Sequence, residues 1–180
     1  MSLRIVLVGY RAAGKSTLGR LLARQLDWPC LDVDRDIETA CGKSLAAFYQ
    51  EDGDQVFRDL ESDVVRRLCS RPQCIVSMGA GSLMRPQNQE IACRDALVVY
   101  LRVPDAELWR RISADPRSAQ DRPNLRGGGI DEVHQMLALR EPVYRRCADL
   151  EIDATRPPEE LAEDIIITFR RLAPPQGHCP

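Results

Sequence analysis

Short apolar runs punctuate the chain at 4–8 (RIVLV), 30–32 (CLD), 74–78 (CIVSM), 97–101 (LVVYL) and 150–152 (LEI). Between them, apolar residues recur at helical spacing over 15–25, 54–69, 104–112 and 131–146, and Leu161, Ile165, Phe169 and Leu172 mark a stripe on a final helix. Strand-like runs alternating with helical patterns predict successive βα units, hence an α/β fold with a parallel sheet. There is no internal repeat and no second hydrophobic core, so residues 1–180 read as one domain. The stretch 113–129, SADPRSAQDRPNLRGGG, breaks the periodicity with two prolines, several arginines and a glycine run, as a surface loop or a functional lid does. The three prolines of 173–180 predict a frayed tail.

Composition narrows the class. A chain of 180 residues, 44% hydrophobic and 29% charged, suits one domain, which at that size buries about 70% of its unfolded surface. The 25 basic residues are balanced by 27 acidic ones and only 5% are aromatic, so neither a basic footprint nor a stacking platform for nucleic acid is present. The apolar run at 5–8 is too short for a signal peptide, and far below the roughly 20 residues of a membrane span. A cytoplasmic protein is expected. Seven cysteines (Cys30, Cys41, Cys69, Cys74, Cys93, Cys147, Cys179), odd in number and without a C-x-x-C pair, read as reduced, incidental thiols. With only His134 and His178 beside them, a protein-held zinc site is not expected, and any metal is a hard cation that arrives with substrate. Lys15 and Lys43 are the only lysines among the 25 basic residues; in a chain that otherwise uses Arg, a Lys suggests a site wanting a compact point charge.

The first lysine lies in the strongest motif. Gly9-Tyr-Arg-Ala-Ala-Gly14-Lys15-Ser16-Thr17 fits G-x-x-x-x-G-K-[ST], between an apolar strand and an amphipathic helix. Its glycines let the backbone of Ala12, Ala13, Gly14, Lys15, Ser16 and Thr17 wrap a phosphate chain at the positive end of a helix. Lys15, read as lying at an exposed helix start, would reach the β and γ phosphates, and the Ser16 hydroxyl would ligate Mg²⁺. The chain is thus expected to bind ATP as its magnesium complex. No guanine-reading N-K-x-D accompanies the motif, and the length leaves little room for the assembly domain of a mechanical ATPase, so a small-molecule kinase is the leading class.

Candidate acceptor groups lie elsewhere. Asp32 and Asp34, at the end of the second strand, would point by strand alternation to the rim where open α/β sheets bind ligands, or would cap a turn. In the following helix Val56, Phe57, Leu60, Val64 and Leu68 form the apolar face, with Arg58 and Glu61 beside it at the i, i+3 spacing of an ion pair. Arg140 falls at the centre of a face formed by Val133, Met136, Leu137, Val143 and Tyr144, so it either pairs with a structural acid or aims at an anion. Gly79, Ala80 and Gly81 follow a strand and allow a ligand close to the backbone, or simply make a turn.

Taken in order, GYRAAGKST, LDVD, FRDLE, SMGAG, DRPNL and LREPVY resemble shikimate kinase from the first strand to about Pro157. The resemblance implies a P-loop, nucleoside-monophosphate-kinase-like fold: a five-stranded parallel sheet in three layers, an acceptor-binding subdomain at about 33–61 and a lid at about 113–129. It implies transfer of the ATP γ-phosphate to the 3-hydroxyl of shikimate in aromatic amino-acid biosynthesis, by a monomer. Position by position, Lys15 and Ser16 match the residues on phosphate and Mg²⁺, and Asp32 the acid that supports the metal. Asp34 matches the group that binds the ring hydroxyls and takes the proton, Arg58 and Arg140 the pair on the shikimate carboxylate, and Arg122 the lid arginine on the transferring phosphate. Arg156 matches the loop that packs on adenine, with Arg111 and Arg117 as further adenine-side candidates. Two departures stand out: Gly79-Ala80-Gly81 replaces a three-glycine turn, and Arg122-Pro-Asn-Leu125 replaces R-P-L-L. Alternatives are a P-loop kinase for another small acidic or polyhydroxy acceptor such as gluconate, and a nucleotide-binding relative without catalysis, to which only Ala80 hints.

Overall fold

The computed structural model describes residues 3–115 and 129–172. Five strands, β1 (Arg4–Val8), β2 (Cys30–Asp32), β3 (Ile75–Ser77), β4 (Ala96–Arg102) and β5 (Leu150–Asp153), form one sheet in the order β2-β3-β1-β4-β5. Every pairing is parallel; Ile5 lies opposite Ile75 on one side and Leu97 on the other. The helices are α1 (Lys15–Leu26), α2 (Val33–Cys41), α3 (Leu45–Cys69), α4 (Pro86–Cys93), α5 (Asp105–Ala114), α6 (Ile130–Cys147) and α7 (Pro158–Leu172), with one 3₁₀ turn at Ser82–Met84.

Alternation along β1 divides the interior into two cores. Ile5 and Leu7 pack on the side of Leu18 and Leu22 of α1 and Leu161, Ile165 and Phe169 of α7. Val6 and Val8 face the opposite layer, with Ile37, Val64, Leu68, Ala92 and Tyr144. All of β1 is buried because both faces are covered, so it reads as a continuous apolar run rather than an alternating one. The expected three-layer α/β architecture is therefore present.

Three local differences from the sequence pattern matter for the site. The second strand stops at Asp32, whose carboxylate accepts the backbone N–H groups of Asp34 and Arg35 and so starts α2; Asp34 is helical and does not lie on the strand. The helix expected from 54 begins at Leu45 instead, because Gly53 kinks it at φ 85°, ψ 166° and interrupts the periodicity. On its second half Val56 is exposed, whereas Glu61 and Val65 are buried, so the apolar face is rotated from the one the pattern suggested. The unexpected α4 is short and mostly polar (PQNQEIAC) and buries only Asn88 and Ala92, too little to register as a stripe. Of the expected lid, 116–128 lies outside the described residues, as does the tail 173–180.

Candidate active site

At the phosphate end, β1 leads through the glycine-rich loop into α1. Gly14 takes φ 97° as the N-cap and supplies no side-chain cap, which leaves the first amides of α1 available to an anion. Lys15 is not exposed as expected. It is 8% accessible, and its Nζ donates to the carbonyl oxygens of Gly9 at 2.9 Å and Tyr10 at 2.8 Å, folding the side chain back over its own loop. Adjacent in sequence, Ser16 Oγ donates to Asp32 Oδ2 at 2.9 Å, while Asp32 Oδ1 accepts from the Asp34 and Arg35 amides at 3.1 and 3.3 Å. Lys15, Ser16, Asp32, Asp34 and Ala80 all line one cavity of about 480 Å³. The two carboxylates do reach the same rim, but through a helix cap and not through strand alternation.

The donor set there suits a hard cation. A hydroxyl and a carboxylate already within 2.9 Å of each other are oxygen ligands of the kind Mg²⁺ takes alongside phosphate oxygens and water. Among the described residues no three His, Cys, Asp or Glu side chains cluster as a protein-held metal site requires.

A second cavity, of about 510 Å³, also borders the loop and is lined by Ala12, Ala13, Gly14, Thr17, Arg111 and Arg156, among others. Arg111 donates to the Ala154 carbonyl at 3.1 Å and pairs with Glu107 at 2.7 Å. Arg110 and Arg111 together hold the Glu107 carboxyl down at about 2. Arg156 is fixed by Asp164 at 2.8 Å and Glu160 at 3.1 Å. Arg117 and Arg122 lie outside the described residues.

The third cavity, of about 450 Å³, brings together the separate acceptor-side segments: Tyr10 and Arg11 from the loop, Arg58 and Glu61 from α3, Gly81, and Arg140 from α6. Arg58 and Arg140 differ in commitment. Arg58 Nη1 is 2.8 Å from Oε2 of the buried Glu61, and its Nε is 3.3 Å from Asp54. Glu61 Oε1 in turn accepts from Ser82 Oγ at 2.8 Å. Arg140 has no acidic partner among the described residues; its guanidinium lies 5.5 Å from the centroid of the Tyr10 ring.

The turn 79–81 joins these parts. A Cβ on Gly79 would stand 2.6 Å from Asp34 Oδ1 and 2.7 Å from Ser82 Oγ, and one on Gly81 would stand 3.0 Å from Arg58 Nη1. A side chain at either position would therefore displace groups of the site, Asp34 and Ser82 at Gly79 and the Arg58 guanidinium at Gly81. Ala80 is buried and has no positive φ, so its methyl group costs no backbone strain. Its carbonyl accepts a hydrogen bond from the Tyr144 hydroxyl.

Two features were missed in the sequence, Arg11 and Ser82. Arg11, at an unrestricted position of the phosphate motif, lines both the phosphate and the acceptor cavities. Glu61 and Ser82 hold Arg58 from behind, a relation that the i, i+3 spacing signalled only for Glu61. Lys43, by contrast, lines none of these cavities: it is a half-buried cation 2.8 Å from Glu51 and 2.7 Å from Asp52, so rarity did not mark a site.

Comparison with known proteins gives the same grouping. The shikimate kinase family model matches residues 11–170. A shikimate kinase of Rhodopirellula baltica is 36% identical over 164 residues, spanning 90% of this chain and 88% of that one. The structure of shikimate kinase from Acinetobacter baumannii in complex with shikimate superposes with a TM-score of 0.87 at 30% identity, covering 96% of this chain and 97% of that one. A gluconokinase from Sinorhizobium meliloti is similar at 17% identity and a TM-score of 0.55 over 96% and 94% of the two chains, a likeness of fold alone.

Proposed function

The chain belongs to the shikimate kinase family, whose reaction is ATP-dependent phosphorylation of shikimate, and on that premise we propose which of its residues do what. The loop 12–17 wraps the triphosphate, and Lys15 exchanges the Gly9 and Tyr10 carbonyls for the β and γ phosphates. Ser16 and Asp32 hold Mg²⁺, which when bound neutralises charge between those phosphates. Arg156 and Arg111 flank the adenine. On the acceptor side Arg58 and Arg140 grip the shikimate carboxylate, and the backbone of Gly79, Ala80 and Gly81 closes the ring's approach.

Asp34, on the phosphate rim and against the 79–81 turn, orients the 3-hydroxyl. The hydroxyl oxygen forms a bond to the γ-phosphorus as the bond to the ADP oxygen breaks, and the hydroxyl proton passes to Asp34. Positioning and charge neutralisation supply most of the acceleration, with Arg122 of the 113–129 lid completing the phosphate's shell on closure. The segment 33–61 is the acceptor-binding subdomain, carrying Asp34, Arg58 and Glu61. Among the described residues no helix is long and apolar enough to cross a membrane. A cytoplasmic location is part of this proposal, supported by the dependence on ATP, and so is the monomeric state that the family resemblance implies.

The observation that carries the reading is Arg140, a half-buried guanidinium without an acidic partner among the described residues, in the same cavity as Arg58. A coupled ADP-release assay with MgATP and a panel of acceptors tests it. ADP should appear with shikimate and not with gluconate or without acceptor; turnover of gluconate instead, or ATP binding with no turnover of any acceptor, would overturn it.

A further inference from the structure

Helix α6 contributes twice to the acceptor cavity. Arg140 lines it directly, and Tyr144, one turn later on the same face, is 1% accessible and reaches the turn at the end of β3. There its hydroxyl donates to the Ala80 carbonyl. The Ala80–Gly81 peptide is trans, so its C=O and the Gly81 N–H point in opposite directions across one rigid plane. A carbonyl held toward the core at Tyr144 turns the Gly81 N–H to the other side, where Gly81 borders the acceptor cavity beside the Arg58 guanidinium. Among the described residues, that N–H meets no backbone or side-chain acceptor. Among the described residues the phenol is the hydrogen-bond donor to this carbonyl, and on the far side of the peptide Gly81 has no side chain to restrict its rotation.

We propose that Tyr144 is a positioning residue for acceptor binding: its hydroxyl fixes the Ala80–Gly81 peptide so that α6 presents a guanidinium and, through the turn, a backbone N–H to one carboxylate. This rests on the acceptor assignment above. The neighbouring Tyr100 supplies a matched control. Its ring centroid is 5.3 Å from that of Tyr144, but its hydroxyl donates to Glu141 at 3.0 Å and not to the turn.

The test compares Tyr144→Phe with Tyr100→Phe, each losing one buried hydroxyl from the same ring pair. Tyr144→Phe should raise KM for shikimate about 5- to 10-fold, the scale of one lost hydrogen bond to an oriented group, with kcat and KM for ATP within about twofold of the parent. Tyr100→Phe should leave KM for shikimate unchanged. An unchanged KM in Tyr144→Phe, or an equal rise in Tyr100→Phe, would overturn the proposal, the second because it would show general loosening of α6. Should Tyr144→Phe fail to fold, the Gly81 amide resonance of the parent decides: it should shift with shikimate and stay in place with an analogue lacking the carboxylate, and the reverse would contradict the assignment. A parent enzyme that does not phosphorylate shikimate would instead remove the acceptor reading itself, so the two failures are distinct.

Discussion

The two ends of the active site are built on different principles. At the nucleotide end the proposed partners of the triphosphate come largely from one contiguous segment, residues 12–17, and most of them are backbone amides at a helix start. At the acceptor end they come from α2, α3, the turn after β3 and α6, and the charged ones are side chains. An anion cradle of amides needs only a loop of the right shape, whereas a planar carboxylate is oriented by guanidinium groups that must be carried in from separate elements. The first can be read from a motif; the second exists only once the sheet is assembled.

The ends also differ in how their cations are held before any ligand binds. Lys15 is buried against two carbonyls of its own loop, Arg58 is paired with the buried Glu61, and Arg140 lies against the Tyr10 ring with no acidic partner among the described residues. This ranking sets what each substitution should do. The largest loss is expected for Lys15→Met, with kcat reduced about 10²- to 10³-fold or more because charge developing on the transferring phosphate loses its buried donor. Since the Gly9 and Tyr10 carbonyls lose their donor as well, the variant should also melt below the parent; near-normal turnover would break the assignment of the phosphate end. Arg58→Met comes next and mixes the two effects. It should weaken shikimate binding and also destabilise the fold by up to about 3 kcal/mol, because the buried Glu61 carboxylate is left with Ser82 alone. A melting curve that did not move would show that Glu61 is satisfied without the guanidinium.

Ala80→Gly should have the smallest effect. The residue already has an ordinary φ and its carbonyl is held by Tyr144, so removing the methyl group should leave KM for shikimate nearly unchanged. It should lower stability by about 0.5–1 kcal/mol through the added freedom of the unfolded chain. A marked gain in shikimate affinity would mean that the methyl group intrudes on the acceptor cavity.

What the sequence disclosed follows the same division. Apolar runs located all five strands: β1, β3 and β4 are buried on both faces, whereas β2 and β5 are only partly buried and left shorter runs, and the phosphate loop was complete in the motif. Asp32 and Asp34 were found for a partly wrong reason: a strand-end acid and a helix cap look alike in sequence, and only the hydrogen bonds to the Asp34 and Arg35 amides separate them. The start of α3 was obscured by Gly53, and α4 by having almost no apolar face. Contacts made across the fold, such as Glu61 with Ser82 or Tyr144 with Ala80, leave no local pattern at all, since their partners are 21 and 64 residues apart.

Arg140 is where the two readings of a cation on an apolar helix face can be separated, and Arg140→Met is the most direct measurement. A melting curve and two titrations of the purified variant, one with shikimate and one with an ATP analogue, are sufficient. With no buried acid stranded and a side chain suited to the face, the variant should melt with the parent and bind the ATP analogue as the parent does. Its shikimate affinity should fall by about 2–5 kcal/mol, the loss expected when one partner of a desolvated charge pair is removed. A variant that melts well below the parent while keeping its affinity for shikimate would contradict this account and make Arg140 a structural residue.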